Sequence, residues 1–339
     1  MGKKATPPRS FNTIRRSQTK VRAQRRRTQN VLLLAMFATV ALILIALLVL
    51  GGFAIVGAIV DARPAPDNSD NNTPSTGTIT FVQTTKSADA VHSGTLILVN
   101  KDHKYTFPLG LSLPLFSEYP LNVQIYKPVA GVEKLEEETL KALNAMMSRY
   151  HEIYEDASFA ISSAYRTEKD QQALLERGST DIPPKESEHH TGYCVALQVY
   201  DPSGNHREDI NSETHSWLYQ NCHKYGFVVR YPDEKKHITG ISDYEHCFRY
   251  VGVAHATYMY QNNLCLEEYL DLLKNSYSSA ATRLTISAAD GCQYDVYYVA
   301  ASGADVTTID VPTSNFTYTV SGDNRGGFIV TVKRPVPAA

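Results

Sequence analysis

Residues 187–201 read Ser-Glu-His-His-Thr-Gly-Tyr-Cys-Val-Ala-Leu-Gln-Val-Tyr-Asp, SEHHTGYCVALQVYD, a polar turn running into an apolar, β-rich segment. The first six residues have the composition of half a metal site: His189 offers a ring nitrogen, and Gly192 lets the chain turn. The apolar run Val195–Tyr200 is expected to be a strand leaving that turn. If His189 is a metal ligand, a second donor should follow it at short range on the strand, where Ala196 presents a methyl group that coordinates nothing. Cys194 and Gln198 would share a strand face with Ala196. Successive positions on one face lie about 6–7 Å apart at roughly 3.3 Å per residue, so neither replaces the missing ligand without backbone movement.

Working outward, apolar residues from Val132 to Tyr150 recur at helical spacing, and Phe159–Ser163 is a short β-type run. Thr167 with Asp170 three residues on forms a capping-box start for a helix ended by Gly178. Ser212 is expected to cap a helix carrying Trp217 and Leu218 and stopping at Gly226. Phe227–Tyr231 reads as a strand, Arg249–Val253 as β or the start of a helix through Tyr260, and Leu266–Leu273 as a last helix. Upstream, Gly94–Pro108 is expected to give a short strand and a turn at Asn100-Lys101-Asp102. These elements make an α+β unit over 90–274. Five β-branched or aromatic runs between Asp-Gly, Ser-Gly and Gly-Gly turns then make a small all-β module over 280–335.

The 339 residues carry 33 Lys/Arg and 35 Asp/Glu, a near balance that hides an asymmetry. Residues 1–60 hold ten Lys/Arg and no acidic residue, leaving 23 basic and 35 acidic side chains in the other 279. Val31–Val60 contains Thr39 as its one polar side chain, and about 20 apolar residues suffice to cross a bilayer core of roughly 30 Å. Residues 31–60 are therefore expected to be a transmembrane helix, too long for a cleaved signal peptide. Residues 1–30 are expected to be a basic cytoplasmic tail held inside by its positive charge. Its place against a spanning helix points to anionic lipid headgroups, and no nucleic acid is expected as partner. Residues 61–80, rich in Pro, Asn, Asp, Ser and Thr, are expected to be a flexible linker. The remainder is expected outside the cytoplasm, beyond a membrane crossed once. The five cysteines, at 194, 222, 247, 265 and 292, form no CxxC pair, and their odd number leaves at least one unpaired within the chain.

SAYRTEKDQ (163–171), SEHHTG (187–192), WLYQNCHKYGFVVRYP (217–232), ITG (238–240), FRYVG (248–252) and LEEYL (266–270) follow one another at suitable distances. Together they resemble the VanY-type zinc D-alanyl-D-alanine carboxypeptidases of the LAS metallopeptidase group, over roughly 90–274. The resemblance implies a hedgehog-type α+β metallopeptidase fold. It also implies zinc, and the D-Ala-D-Ala end of a peptidoglycan stem peptide as partner. In that family a pattern S-x-H-x-x-G-x-A-x-D gives zinc a His and an Asp, and one like E-P-W-H-F-R-Y-V-G gives the catalytic Glu and a second His. Here Ser187, His189 and Gly192 match, Cys194 stands at the Ala position and Ala196 at the Asp position. Aligned without gaps between ITG and FRYVG, Tyr244 stands at the Glu position and Cys247 at the ligand His position. A one-residue shift would instead offer Glu245 as the base.

The resemblance thus leaves His189 and Cys247 as metal ligands of a degenerate site, with zinc absent or weakly held. Arg166, Gln171 and Ser187 stand at the substrate-binding positions, where Arg166 could take a terminal carboxylate bidentately. His190, His215, His223, His237 and His255 are read as surface or satisfied histidines. Cys194 and Cys247 both approach the former metal position, as a disulfide in its place or as two buried thiols filling space. Three functions are compatible with these residues: a non-catalytic peptide-binding descendant, an active zinc D,D-carboxypeptidase, or a tethered structural protein.

Overall fold

The computed structural model describes residues 79–118, 125–156, 158–201, 203, 204, 206–313 and 316–334. The expected basic tail, the expected spanning helix and all but the last two residues of the expected linker lie outside them. Among the described residues no helix is long and apolar enough to cross a membrane.

The chain enters with strand β1 (Phe81–Ser87). A sheet of mostly antiparallel strands then takes shape from β2 (Tyr126–Pro128), β3 (Phe159–Ser163), β4 (Cys194–Tyr200), β5 (Arg207–Asp209), β6 (Phe227–Val229) and β7 (Cys247–Tyr250). Its order is β2-β3-β4-β7-β6, with β2 and β3 parallel and β5 paired with the far end of β4. The helices of six residues or more are α1 (Glu137–Tyr154), α2 (Glu168–Glu176), α3 (Ser216–Asn221), α4 (Val253–Gln261) and α5 (Leu266–Ser276).

Side chains alternate across a strand, so the sheet has two different faces. Phe159 and Ile161 of β3, Val195 and Leu197 of β4 and Phe248 of β7 share a core with Leu140, Leu143 and Met147 of α1. Ala196 and Cys247 stand opposite each other in the ladder and belong to the other alternation set, which carries the candidate site. α2 opens with a full capping box, Thr167 Oγ1 accepting from the Asp170 amide at 3.1 Å and the Asp170 carboxylate accepting from the Thr167 amide at 3.0 Å.

The C-terminal strands β8 (Leu284–Ser287), β9 (Gln293–Ala300), β10 (Val306–Pro312), β11 (Thr317–Gly322) and β12 (Gly327–Lys333) form a four-stranded sheet β11-β12-β9-β8, while β10 pairs with β1. Residues 81–87 are therefore part of the β module. The packing also runs continuously between the two expected units: Ala254, Met259, Leu266 and Leu273 of α4 and α5 share one core with Ile286, Val296 and Ile329.

Two local expectations need correction. Gly94–Pro108 forms no strand, because its backbone groups are engaged elsewhere. The amides of Leu96 and Leu98 donate to Ser321 Oγ and the Asp323 carbonyl, and the carbonyls of Thr95 and Ile97 accept from Arg249. The turn at Asn100–His103 does form, closed by Asn100 Oδ1. Ser212 caps nothing: α3 starts at Ser216, and Asn211 Oδ1 instead accepts from the amides of Glu213 and Thr214 in the preceding turn.

His255 ties the two parts together. Its Nδ1 lies 2.7 Å from the Tyr269 hydroxyl on α5 and its Nε2 2.9 Å from the Thr331 hydroxyl on β12. Complete burial pushes its pKa down to about 3, so the folded protein holds it neutral. In the unfolded chain the ring regains a value near 6.5. The stability contributed by this neutral ring is complete above about pH 6.5 and is lost as pH falls towards 3, at up to about 1.4 kcal/mol per pH unit. Unfolding free energy measured by urea titration should hence fall below pH 6.5, and His255→Gln should remove about one proton from the slope; an unchanged slope would show that the ring is already charged in the fold.

Candidate active site

The SEHHTG turn is closed from within. Ser187 Oγ accepts from the His189 amide at 3.4 Å, and Thr191 Oγ1 donates to the Glu188 carbonyl at 2.7 Å while accepting from the Tyr193 amide at 3.0 Å. Gly192 ends the turn in the left-handed region at φ 75°, where a Cβ would press on Leu113 and Glu136 at 3.1–3.3 Å. The segment before α2 is stitched to this turn: the Arg166 amide donates to the His189 carbonyl at 3.1 Å. His190 Nδ1 donates to the Arg166 carbonyl at 2.8 Å, and its Nε2 accepts from the Lys185 amide at 3.0 Å. That pairing makes His190 a neutral structural imidazole, and it positions its neighbour.

His189 is buried. Burial, reinforced by the positive charge of Arg166, holds its pKa well below 6.5, so the ring is neutral. Its Nε2 lies 3.4 Å from the Tyr244 hydroxyl, and its Nδ1 is buried with no hydrogen-bond partner among the described residues. One ligand atom each from His189, Cys194 and Cys247 lies within 4.8 Å of the others, and all three residues are buried. Cys194 and Cys247 are joined as a disulfide, with Cα atoms 6.7 Å apart. Cys247 stands opposite Ala196 in the β4–β7 ladder.

This donor set does not fit the catalytic zinc that the fold implies. Such zinc needs three protein ligands and an open position. Ala196 presents a methyl group, and the Cys247 sulfur is bonded to Cys194, which leaves the His189 imidazole as the one available donor of the cluster. The base position fares no better. Tyr244 packs edge-on to His189, with ring centroids 6.5 Å apart. Glu245 points elsewhere, accepting from the Asp233 amide at 3.5 Å and lining a cavity of about 300 Å³ with Tyr219, Cys222 and Tyr260. None of Ser187, His189, Cys194 or Ala196 lines that cavity.

Of the three expected substrate residues, Arg166 and Gln171 are in contact and Ser187 touches neither. The half-buried Arg166 guanidinium donates to Gln171 Oε1 at 3.0 Å and, through its other terminal nitrogen, to Ser163 Oγ. Gln171 is fully buried and anchors the arrangement by donating from Nε2 to the Ile182 carbonyl at 2.7 Å. No carboxylate lies within ion-pair distance of Arg166 among the described residues. Ser187 is buried, with its hydroxyl turned to the His189 amide.

Glu188 lies inside SEHHTG but is not among the residues expected at the site. Its carboxylate is 1% exposed and accepts from Arg230 Nε at 2.7 Å and from Arg249 Nη1. Arg230 also donates a bidentate pair to Glu267 at 2.7 and 3.0 Å. Burial pushes the Glu267 carboxyl up, but the Arg230 charge and hydrogen bonds outweigh it, leaving the group below the ordinary carboxylate value. The signal was available: Glu188, Arg230, Arg249 and Glu267 each sit in a different one of the six motifs.

The VanY model, D-alanyl-D-alanine carboxypeptidase, matches residues 132–253. A D-alanyl-D-alanine carboxypeptidase of Enterococcus faecium is 34% identical over 176 residues, 51% of this chain and 54% of its own length. The chain therefore spans about half of that relative. The bifunctional D-Ala-D-Ala dipeptidase and D-Ala-D-Ala carboxypeptidase VanXYC of Enterococcus gallinarum is 29% identical over 197 residues, covering 53% of this chain and 95% of the relative. Among solved structures, the vancomycin-resistance D,D-dipeptidase VanXYg in complex with a D-Ala-D-Ala phosphinate analogue superposes with a TM-score of 0.63 at 25% identity, covering 75% of this chain and all of the other.

Removing one partner of a buried ion pair strands the other charge and costs about 3–5 kcal/mol. Glu188→Gln should lower unfolding free energy by that amount in urea titration, and a loss below about 1 kcal/mol would mean that Arg230 and Arg249 find other partners. Fold, ordered motifs and sequence similarity converge: through residues 132–253 this chain carries a VanY D-alanyl-D-alanine carboxypeptidase domain.

Proposed function

We propose that this domain binds the D-Ala-D-Ala ends of peptidoglycan stem peptides at the outer face of a bacterial membrane, anchored by residues 31–60, and does not hydrolyse them through zinc in its disulfide form. The observation that carries the peptide-binding reading is Arg166. It is a half-buried cation held by neutral Gln171 and Ser163, with no carboxylate of the described residues to neutralise it. A C-terminal carboxylate supplies the missing charge, and a guanidinium matches it with two parallel hydrogen bonds. The neutral imidazole of His189 lies beside it and adds no competing charge. Loss of hydrolysis follows from the donor set: a methyl group at 196, a disulfide sulfur at 247 and a phenol at 244 supply neither a metal cage nor a carboxylate base.

Titrating the purified chain with a tripeptide ending in D-Ala-D-Ala should show saturable binding. Arg166→Ala should weaken it by about 1.5–3 kcal/mol, roughly ten- to a hundredfold in Kd. Equal affinity in both proteins would remove Arg166 from the account, and release of D-Ala with one zinc per chain would establish hydrolysis instead.

The strand placement makes a second prediction. Ala196 and Cys247 face each other in the β4–β7 ladder and Tyr244 lies beside His189, so Ala196→Asp, Tyr244→Glu and Cys247→His introduced together should build a zinc site, read as one bound zinc per chain. A folded triple variant that takes up none would show that these three positions do not converge.

A further inference from the structure

We propose that the cavity between β6, α4 and the turn Cys222–Tyr225 is a second binding site, and that it takes a small organic cation in which an apolar body carries one ammonium group. This goes beyond the peptide-binding reading and does not rest on it.

The cavity lies apart from the His189 turn. β6 is the last strand of its sheet, and Val229 stands opposite Phe248, so the side chains of Phe227 and Val229 belong to the α1 face, away from Cys247. The amides of Arg230 and Val251 donate to the carbonyls of Cys247 and Gly226, at 2.9 Å each. That register turns the backbone groups of Gly226, Val228 and Arg230 towards β7 and those of Phe227 and Val229 towards the open edge, along which the cavity runs. Buried Cys222, Phe227 and Met259 line its interior, and exposed Ser212, Glu234 and Asn263 its mouth. At about 300 Å³ the space sits at the lower end of small-molecule pockets, and its apolar lining suits an apolar body.

Two carboxylates meet this apolar space without a cation. Glu234 and Glu245 both line it, and neither is within ion-pair distance of a basic side chain among the described residues. Their neighbours in the chain are committed elsewhere, Lys235 to Glu268 at 2.9 Å and His246 to Asp209 at 3.5 Å. Burial holds the Glu245 carboxyl above the ordinary carboxylate value, and the charges of Asp233 and Glu234 push it the same way against one hydrogen bond from the Asp233 amide. An ammonium group beside Glu245 offsets both effects. The aromatic wall favours the same charge. His223, 8% exposed and with no hydrogen-bond partner at Nδ1 among the described residues, lies flat on the exposed Tyr260 ring at 3.9 Å between centroids. Burial and the Lys224 charge keep that imidazole neutral, so it does not compete with a bound cation. The described residues bring no three metal-donor atoms together here, which favours an organic cation over a metal ion.

The test titrates the purified full chain by isothermal calorimetry with phenethylamine, and with phenethyl alcohol as its uncharged counterpart. The amine should bind one per chain with a Kd on the order of 0.1–1 mM, and the alcohol at least about tenfold more weakly. Glu245→Gln should weaken amine binding about tenfold. Leu264→Trp, which fills the cavity with an indole, should abolish binding of both while circular dichroism stays native. A folded wild-type chain that gives no saturable heat with the amine overturns the proposal. So does equal affinity for amine and alcohol, amine binding unchanged by Glu245→Gln, or binding that survives Leu264→Trp. Should Leu264→Trp unfold the chain, Glu234→Gln combined with Glu245→Gln serves in its place: the pair should erase the preference for amine over alcohol, and a preference that persists overturns the proposal. The peptide titration reads Arg166 and the amine titration reads Glu245, so the two proposals fail separately.

Discussion

The carboxylate of Glu188, shut away from water between two guanidinium groups, is the constraint on which the rest of the site depends. Arg230 comes from the end of β6, Arg249 from β7 and Glu267 from the first turn of α5. Two cations and two anions cancel, and every side-chain nitrogen of the two arginines has an acceptor: Arg249 directs Nε to the Tyr250 carbonyl and its second terminal nitrogen to the carbonyls of Thr95 and Ile97. Dehydrating four charges is costly, so such a network stabilises only when all members are in place. It therefore acts as a registration point that brings a turn, two strands, a helix and the incoming segment 95–97 to one position. His189 is the residue next to Glu188 in the chain, so what fixes the carboxylate also fixes the imidazole.

Given that anchor, strand alternation does the rest. The period of two sends Val195 and Leu197 into the α1 core and leaves Cys194 and Ala196 on the opposite side, with Cys247 across the ladder. A covalent S–S bond spans these two strands, joining residues 53 apart in sequence. It ties β4 to β7 without a third ligand, and beside it a buried carboxylate at 196 would be a charge without a partner.

Much of this was legible in the sequence because it rests on local signals. The Thr167–Asp170 capping box, the β4 run and the strands of the C-terminal module are set by nearby residues, and they appear close to where the pattern put them. The failures share a different cause. Leu96–Leu98 is apolar and β-prone, yet its backbone is engaged by Ser321, Asp323 and Arg249, residues more than 150 positions away, so no local pattern could show that it forms no ladder. The membership of Phe81–Ser87 in the β module is likewise a pairing with Val306–Pro312 across the whole domain. Glu188 was overlooked for the opposite reason. An acidic residue in a polar turn is ordinarily solvated, and it becomes central only once two arginines from distant motifs converge on it.

What is kept and what is changed at this site follow different physical demands. Binding a peptide's terminal carboxylate requires a positive group held in a fixed fork, and Gln171 supplies that by taking one hydrogen bond from Arg166 and giving another to the Ile182 carbonyl. Hydrolysis requires in addition a cation that activates water and a base within reach of its proton. In the proposed reading the first demand falls on Arg166, Gln171 and Ser163, which touch neither cysteine. The second falls on positions 196, 244 and 247, which carry a methyl group, a phenol and a disulfide sulfur. The two sets are joined at the His189 turn and in the β3–β4 ladder, where Ser163 pairs with Ala196. The buried Glu188 network, which holds that turn from behind, is then under equal demand in a binding protein and in an enzyme.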